Sequence, residues 1–425
     1  MSTVPVGTPV WRALAGASAL TSTGVVKDLS NECAPAFSND DVDVVVIGCG
    51  MTGLSCCLEL GDSLGSRVVA LDARTIAEGA TGRNGAHQVG EVAEKDTTLE
   101  LEKQCEEIES KDIEDLRKLI ETLPPEAAKA VALNVTGGLR VCLEEKLEPF
   151  MRDFAEKTGL PLLEKEDLYK QKYLGARDAI CAVELPNSAQ FCPGALLVEL
   201  TKMVTAKGVQ VFTGVQVESI EQGENGSWLV HTNKKSGQPI KCQKVVYAGN
   251  GLGLKLLPPR LQGVLKSVRG QCIAAKMPPN TSPKSLLYKC DSESCAEYLI
   301  QRKQDDTVIF GGCRHLSPNK GLDDDDTKVD PEVTKALTEE LERLFPDVPF
   351  TVTHAWCGIM CFSDDENPVV GAISERPNQY VAAGYTGHGM VRAFSSGRHV
   401  AELILGKSEF SNPAISVAFN PDRFA

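Results

Sequence analysis

The chain has 425 residues, with 44 Lys and Arg against 58 Asp and Glu, and a formal net charge of −14. That length suits about two domains of roughly 100–200 residues each and a sizeable buried core. Hydrophobic residues at 42% and charged residues at 24% are globular usage, which excludes a disordered or collagen-like chain. The acidic balance, with no basic cluster to offset it, excludes nucleic acid as a partner.

Residues 1–26 hold no acid, one Arg (Arg12) and several Ser and Thr. The pattern loosely resembles a transit segment but is poor in Arg. Residues 1–42 are therefore expected to form an irregular N-terminal arm, packing through Val10, Trp11 and Leu14. A cytoplasmic location is favoured over organellar import. The longest near-apolar stretch, Ala13 to Leu20, falls far short of the ~20 residues of a membrane span, so none is expected.

From Asp43 the pattern sharpens. Val44-Val45-Val46-Ile47 is a continuous β-branched run, as in a strand buried on both faces of a parallel sheet. Gly48-Cys49-Gly50-Met51-Thr52-Gly53 follows at once and opens a helix through Leu60 and Leu64. A second strand, Arg67 to Leu71, is closed by Asp72. Residues 94–130 carry an amphipathic helical pattern through Leu101, Ile108, Ile113, Leu116 and Ile120, which Pro124-Pro125 ends. Short strands are expected at 137–141 and 179–183, a helix from Cys192-Pro193-Gly194 to Gly208, and strands at 209–212, 215–220, 228–230 and 244–249. A strand-rich region covers 265–315. The run Asp323–Asp326 reads as a solvated loop, and helix Pro331–Leu344 follows it. The chain closes with a strand at 380–384 and a helix at 393–405.

The fifteen cysteines include no Cys-x-x-Cys pair. They read as small packing residues in a reducing compartment, with neither a disulfide framework nor a metal site expected.

The glycine motif has the context that gives it meaning, a buried strand before it and a helix after it. Gly48 allows the tight turn, Gly50 lets a diphosphate approach the backbone, and Gly53 lets helix and strand pack closely. The first helical turn, with Met51 and Thr52, offers free N–H groups to that anion. Asp72, followed by Ala73 and Arg74, suits the two ribose hydroxyls and disfavours a 2′-phosphate. NADP is thereby disfavoured as the occupant.

Gly79-Ala80-Thr81-Gly82-Arg83-Asn84-Gly85-Ala86-His87 follows this unit. Together with Gly48–Asp72 it resembles the FAD-dependent D-amino-acid oxidase superfamily, and within it the gamma-glutamylputrescine oxidase branch. Ala86 departs from the Gly usual there. The resemblance extends through three later pieces. One is Cys192-Pro193-Gly194 with Thr213–Val217, where it implies that the Val217 backbone meets the adenine. Another is Val246 to Gly251, including Ala248 and Gly249. The last is Trp356-Cys357-Gly358-Ile359, Asp365-x-x-Pro368 and Gly384-Tyr385-Thr386-Gly387-His388-Gly389-Met390.

The resemblance implies a Rossmann-like three-layer FAD-binding domain of the glutathione-reductase type, drawn from 43–93, 189–262 and 353–420. A mixed-sheet α+β substrate domain would come from 94–188 and 263–352. It implies FAD held by Gly79, Ala80, Thr81, Arg83, Asn84, Gly85, Gly358, Gly387, His388, Gly389 and Met390 beside the glycine motif. The implied chemistry is oxidation of a C–N bond in an amine or amino acid: hydride passes to flavin N5, the imine hydrolyses, and electrons go to O2. The alternatives are a dehydrogenase serving a quinone or carrier protein, and a non-catalytic flavoprotein assembly factor. Some relatives attach FAD through a Cys, but neither Cys357 nor Cys361 falls at the matching offset. Glycine-oxidase-like relatives hold the substrate carboxylate with an Arg where this chain has Met360. Arg269, Arg302 or Arg314 could replace it, and an amine or N-substituted amino compound becomes the preferred substrate. His87 and His388, both in loops expected against the flavin, are the candidate catalytic residues.

Overall fold

The computed structural model describes residues 20, 24–30, 42–90, 99–170, 178–234, 238–289 and 296–425. Most of the expected N-terminal arm, including Val10, Trp11 and Leu14, lies outside them, as do Cys33, Cys290 and Cys295. Two large sheets carry the fold. The first has seven strands in the order Lys27–Asp28, Gln210–Thr213, Val68–Leu71, Val44–Ile47, Lys244–Tyr247, Gln379–Ala383 and Val369–Ala372. All neighbours run parallel except the last pair.

Strand Val44–Ile47 shows why this sheet is buried on both sides. Val44 and Val46 pack with helices Met51–Leu64, Pro193–Ala206 and Ala393–Ile404, while Val45 and Ile47 face the other way. There they meet Val217, Val230, Ile240 and Cys242 of an antiparallel three-stranded meander, Val217–Gln222, Trp228–Thr232 and Ile240–Cys242. Helices, parallel sheet and meander are the three layers of a Rossmann-like dinucleotide-binding fold. Lys27–Asp28 extends the sheet at its edge, so part of the arm is a strand rather than an irregular segment.

The second sheet has eight strands. Their order is Thr351–Ser363, Leu265–Lys276, Thr307–Gly311, Ala296–Gln301, Ser285–Lys289, Gly138–Cys142, Cys181–Leu185 and Leu162–Glu164. Helix Pro331–Leu344 covers one face, where Val333, Leu337 and Leu341 pack on Ile273, Leu299 and Phe310. Asp330 caps that helix by accepting from the Glu332 N–H. The opposite face, with Cys272, Ala274, Ile300, Ile309 and Trp356, joins the core of the first sheet's helices.

Strand Thr351–Ser363 pairs with Leu265–Lys276 along its whole length. The segment 353–420 thus begins inside the second sheet. The charged stretch expected as one helical region is helix Leu99–Glu121, followed by a separate helix, Pro125–Val131, with Pro at its first position. The strand expected at 215–220 starts at Val217. All twelve described cysteines are buried and free, so thiols pack here as small apolar groups.

Candidate active site

The glycine turn is fixed by sterics. Gly48 sits at φ +105°, and a Cβ there would lie 2.6 Å from the Ala248 carbonyl oxygen. A Cβ on Gly53 would lie 1.8 Å from the Gly48 oxygen, so helix Met51–Leu64 can approach the strand only through a bare Cα. The same helix receives Ala393–Ile404 at Gly397, where a Cβ would fall 2.0 Å from the Thr52 oxygen.

Asp72 stands at the end of strand Val68–Leu71 with both carboxylate oxygens engaged. Oδ2 accepts from the Cys49 N–H at 2.8 Å, and Oδ1 from the Arg74 N–H at 2.9 Å. Burial pushes this carboxyl up, against the lowering effect of the two N–H groups. Val215 donates to the Asp72 carbonyl at 2.8 Å, which brings Val217 to the same end of the site. Val217 is buried and pairs with Thr232, and a bulge follows it. Ala73 is exposed and Arg74 half-buried.

The loop 79–87 is the hub. Thr81 Oγ1 accepts from the Met51 N–H at 3.2 Å, tying the loop to the helix start. Asn84 Nδ2 reaches Met390 Sδ at 2.8 Å, and Asn84 Oδ1 accepts from the Ala86 N–H at 2.7 Å. Trp356 Nε1 donates to the Arg83 carbonyl at 2.8 Å, and Arg83 Nη1 donates to the Cys357 carbonyl at 2.9 Å. Gly358 lies against Arg83, since its Cβ would come within 3.0 Å of the Arg83 Cβ. One loop thus brings together the glycine turn, strand Thr351–Ser363 and the closing segment.

One expectation needs correction here. Asp326 is not a solvated residue; it is 6% exposed. It receives Arg74 Nη1 at 2.9 Å and lies 3.5 Å from Arg83 Nε, binding two loop arginines from a segment some 240 residues away. Arg83 is correspondingly held by protein groups: Asp326, the Glu78 carbonyl and the Cys357 carbonyl. Burial pulls its guanidinium below the usual range, and Asp326 opposes that shift. Ala86 adopts φ 63°, the left-handed conformation that its usual Gly would take freely.

At the closing segment, Tyr385 OH meets Thr52 Oγ1 at 2.8 Å. Thr386, a β-branched residue, is held at φ 48°, with its N–H donating to the Cys361 carbonyl. Such strain persists only where the surroundings enforce it. Gly387 follows at φ 90°, and His388 precedes the short 3₁₀ turn Gly389–Val391, with its N–H donating to the Tyr385 carbonyl at 2.8 Å.

His87 lies on the facing side of the loop, its ring edge-on to Tyr298 with centroids 5.4 Å apart. Neither ring nitrogen has a hydrogen-bond partner among the described residues, and burial pushes its pKa down to about 3. Burial thus favours the neutral imidazole over the charged ring. Tyr298 packs where a Gly85 side chain would be and bonds Cys272 Sγ at 3.2 Å. Neither Tyr298 nor Asp326 sits in a recognisable motif, so no local pattern marks Tyr298, and the aspartate run containing Asp326 reads as solvated.

The residues fit a flavin dinucleotide. A Cβ direction from Gly50 meets only Thr81 Oγ1, at 3.4 Å, and those from Gly79 and Gly387 meet nothing within 4 Å. The backbone there is open to a ligand, beside an anchored carboxylate and a helix N-terminus. Burial pushes the Cys357 and Cys361 thiols up to about 12.

The family model described as FAD dependent oxidoreductase, DAO, matches residues 43–403, and the chain belongs to that family. It is an FAD-dependent oxidoreductase. Among its relatives, a probable oxidoreductase OrdL of Haemophilus influenzae is 25% identical, over 88% of this chain and 85% of that protein. Gamma-glutamylputrescine oxidoreductase of Escherichia coli is 26% identical, over 86% and 84%. In fold, the chain matches the crystal structure of glycine oxidase from Geobacillus kaustophilus with a TM-score of 0.73 at 20% identity, over 90% of this chain and 97% of that one. No described helix is long and apolar enough to cross a membrane.

Proposed function

We propose that the enzyme oxidises a C–N bond of an amine or amino acid, with the imine then released to hydrolysis and the electrons passed to O2. The observation that carries this reading is the position of loop 79–87, which joins the dinucleotide turn to a neutral His87 facing the second sheet. FAD, when bound, supplies acceptance of a hydride from a C–H bond next to nitrogen. The chain's part is placement. Gly48–Gly53 and Asp72 would hold the dinucleotide, and the closing segment with Gly387, His388 and Gly389 would lie against the ring.

A neutral imidazole can hold an uncharged amine by a hydrogen bond without charge repulsion, and only the uncharged amine releases hydride readily. The names of the relatives, gamma-glutamylputrescine oxidoreductase and glycine oxidase, agree with nitrogen compounds as substrates. Met360 supports an amine over a simple α-amino acid. None of the three arginines takes its place in a plain way. Arg269 pairs with Asp323 at 2.8 Å, Arg314 stacks over Phe362 and Arg302 lies 3.2 Å from Asp305.

The matching test is anaerobic bleaching of the bound flavin by a panel of amines and amino acids. Bleaching by amines is expected, and a flavin that no nitrogen compound reduces overturns the reading. The alternative of a dehydrogenase is favoured by one observation, a relative named dimethylglycine dehydrogenase that matches 95% of this chain, at 23% identity, over 47% of that protein. Stoichiometric peroxide on turnover in air separates the two.

A further inference from the structure

We propose that the cleft beside Gln190 and Arg302 is a subsite for a small anionic group, a carboxylate or a phosphate. The cleft is small and open to solvent, and Asn134, Gln190, Cys192, Ile300, Arg302 and Lys303 line it. Its polar groups are mainly donors. Gln190 is 4% exposed, and its Nε2 has no acceptor among the described residues. Asn134 Nδ2 has none either, while the Asn134 oxygen already accepts from Lys303 Nζ at 3.1 Å. Arg302 is 6% exposed and brings a guanidinium to the same wall, with Asp305 Oδ1 3.2 Å from its Nε. Helix Pro193–Ala206 starts at Cys192, so its positive end adds to the two cations.

Two arginine- and lysine-borne charges against one carboxylate leave the wall net positive, which disfavours a cation. An apolar ligand would leave the amide N–H groups unpaired at ~1–3 kcal/mol each. An anion pairs with any of them that a small side-chain rotation turns toward the cleft.

The cleft is also in line with the candidate catalytic histidine. In the small antiparallel sheet of His87–Gln88, Ala189–Gln190 and Asn134–Val135, both His87 and Asn134 lie directly opposite Gln190. Opposed residues project to the same face, so His87, Gln190 and Asn134 form one row. Two strand spacings separate its ends, roughly 10 Å. The anion therefore comes from one of two sources: an acid group at the far end of the amine substrate, or a free inorganic or organic anion. The first source rests on the proposed function; the site itself does not.

The test is calorimetric titration of the flavin-loaded protein with inorganic phosphate and with glutarate, at ionic strength held constant with chloride. Saturable binding of at least one anion is expected. Gln190→Met and Lys303→Met should each weaken it at least fivefold, with melting temperature and flavin content checked alongside. Lys303 is exposed, so its variant folds even if the Gln190 variant does not. No saturable binding, or binding unchanged in the Lys303 variant and in a folded Gln190 variant, overturns the site. The source is then read from competition. Glutarate that raises the amine concentration needed for anaerobic bleaching in proportion to its occupancy marks a substrate tail, and binding without competition marks a separate anion. Failure of every amine to bleach the flavin sinks the proposed function and leaves the titration result standing.

Discussion

The two sides of loop 79–87 are built by different means. On the dinucleotide side, Gly48, Gly53 and Asp72 act within about 25 residues of one another, and backbone sterics and backbone N–H groups set the geometry. On the other side, Tyr298, Asp326 and Trp356 arrive from strands and loops more than 200 residues away and hold the loop by side chains. At Gly48 and Gly53 the first side tolerates no added atom. The second depends on charges and rings that find each other only in the folded chain.

The largest expected effect tests the first side. Gly53→Ala puts a methyl 1.8 Å from a backbone oxygen that nothing flexible can yield, so helix Met51–Leu64 must leave its strand. Little soluble, yellow protein is expected, and a variant that purifies with full flavin and an unchanged melting temperature would falsify the steric account.

Asp326→Ala tests the second side. It strips the shared partner from Arg74 and Arg83, whose side chains are 25% and 10% exposed. Removing one member of a buried ionic group costs about 3–5 kcal/mol. Partial exposure of Arg74 places the expected loss near the lower figure. Urea unfolding checks it, and a loss below ~1 kcal/mol would show that the loop is held by its backbone contacts alone.

Asp72→Asn is smaller in stability and falls on the cofactor. An amide offers one acceptor atom where two N–H groups, of Cys49 and Arg74, now each meet an oxygen. One N–H is left facing an NH2 group, and the ribose partner is weakened. FAD affinity should fall about tenfold, ~1.4 kcal/mol, in a titration of the apoprotein. Equal affinity would remove Asp72 from the cofactor's partners.

The same contrast explains what could be read from the sequence. The strand–glycine–helix unit, the acid at Asp72 and the loop 79–87 are local patterns whose physics is written in consecutive residues. Helix Pro331–Leu344 and the strand ending at Ala383 were legible for the same reason, through their hydrophobic periodicity. Asp326 was not: among four consecutive aspartates nothing marks the one that turns inward. Thr351–Ser363 mixes apolar and polar residues without strict alternation, because its faces are covered unevenly, and it showed only as a motif. Gln190 and Asn134 acquire meaning from a register that sets them opposite each other, and no local signal carries a register.

Asp112 sharpens the comparison furthest, because it joins helix Leu99–Glu121 to helix Ala393–Ile404 by one buried carboxyl. Its Oδ2 accepts from the Ser395 N–H at 2.8 Å, while Oδ1 has no partner among the described residues. The residue is 0% exposed, and burial pushes its pKa up to about 7, with Asp115 and Glu109 adding to the shift. The surrounding charges are otherwise paired, Glu109 with Arg392 at 2.8 Å and Asp115 with Arg398 at 3.0 Å, and Tyr385 adds a phenol nearby. In the unfolded chain the same carboxyl titrates near ~3.9. Between those two values the native state keeps a proton that the unfolded state has released. Stability therefore falls as pH rises through this window, by at most ~1.4 kcal/mol per unit, and stops falling above the folded value. Asp112→Asn keeps an acceptor for the Ser395 N–H and carries no charge to desolvate. Its stability relative to the parent should rise steadily from pH 5 to pH 7 and level off beyond. Urea unfolding at pH 5, 6, 7 and 8 measures the difference, and parallel curves would mean that the carboxyl is ionised in the fold, with solvent reaching it between the two helices.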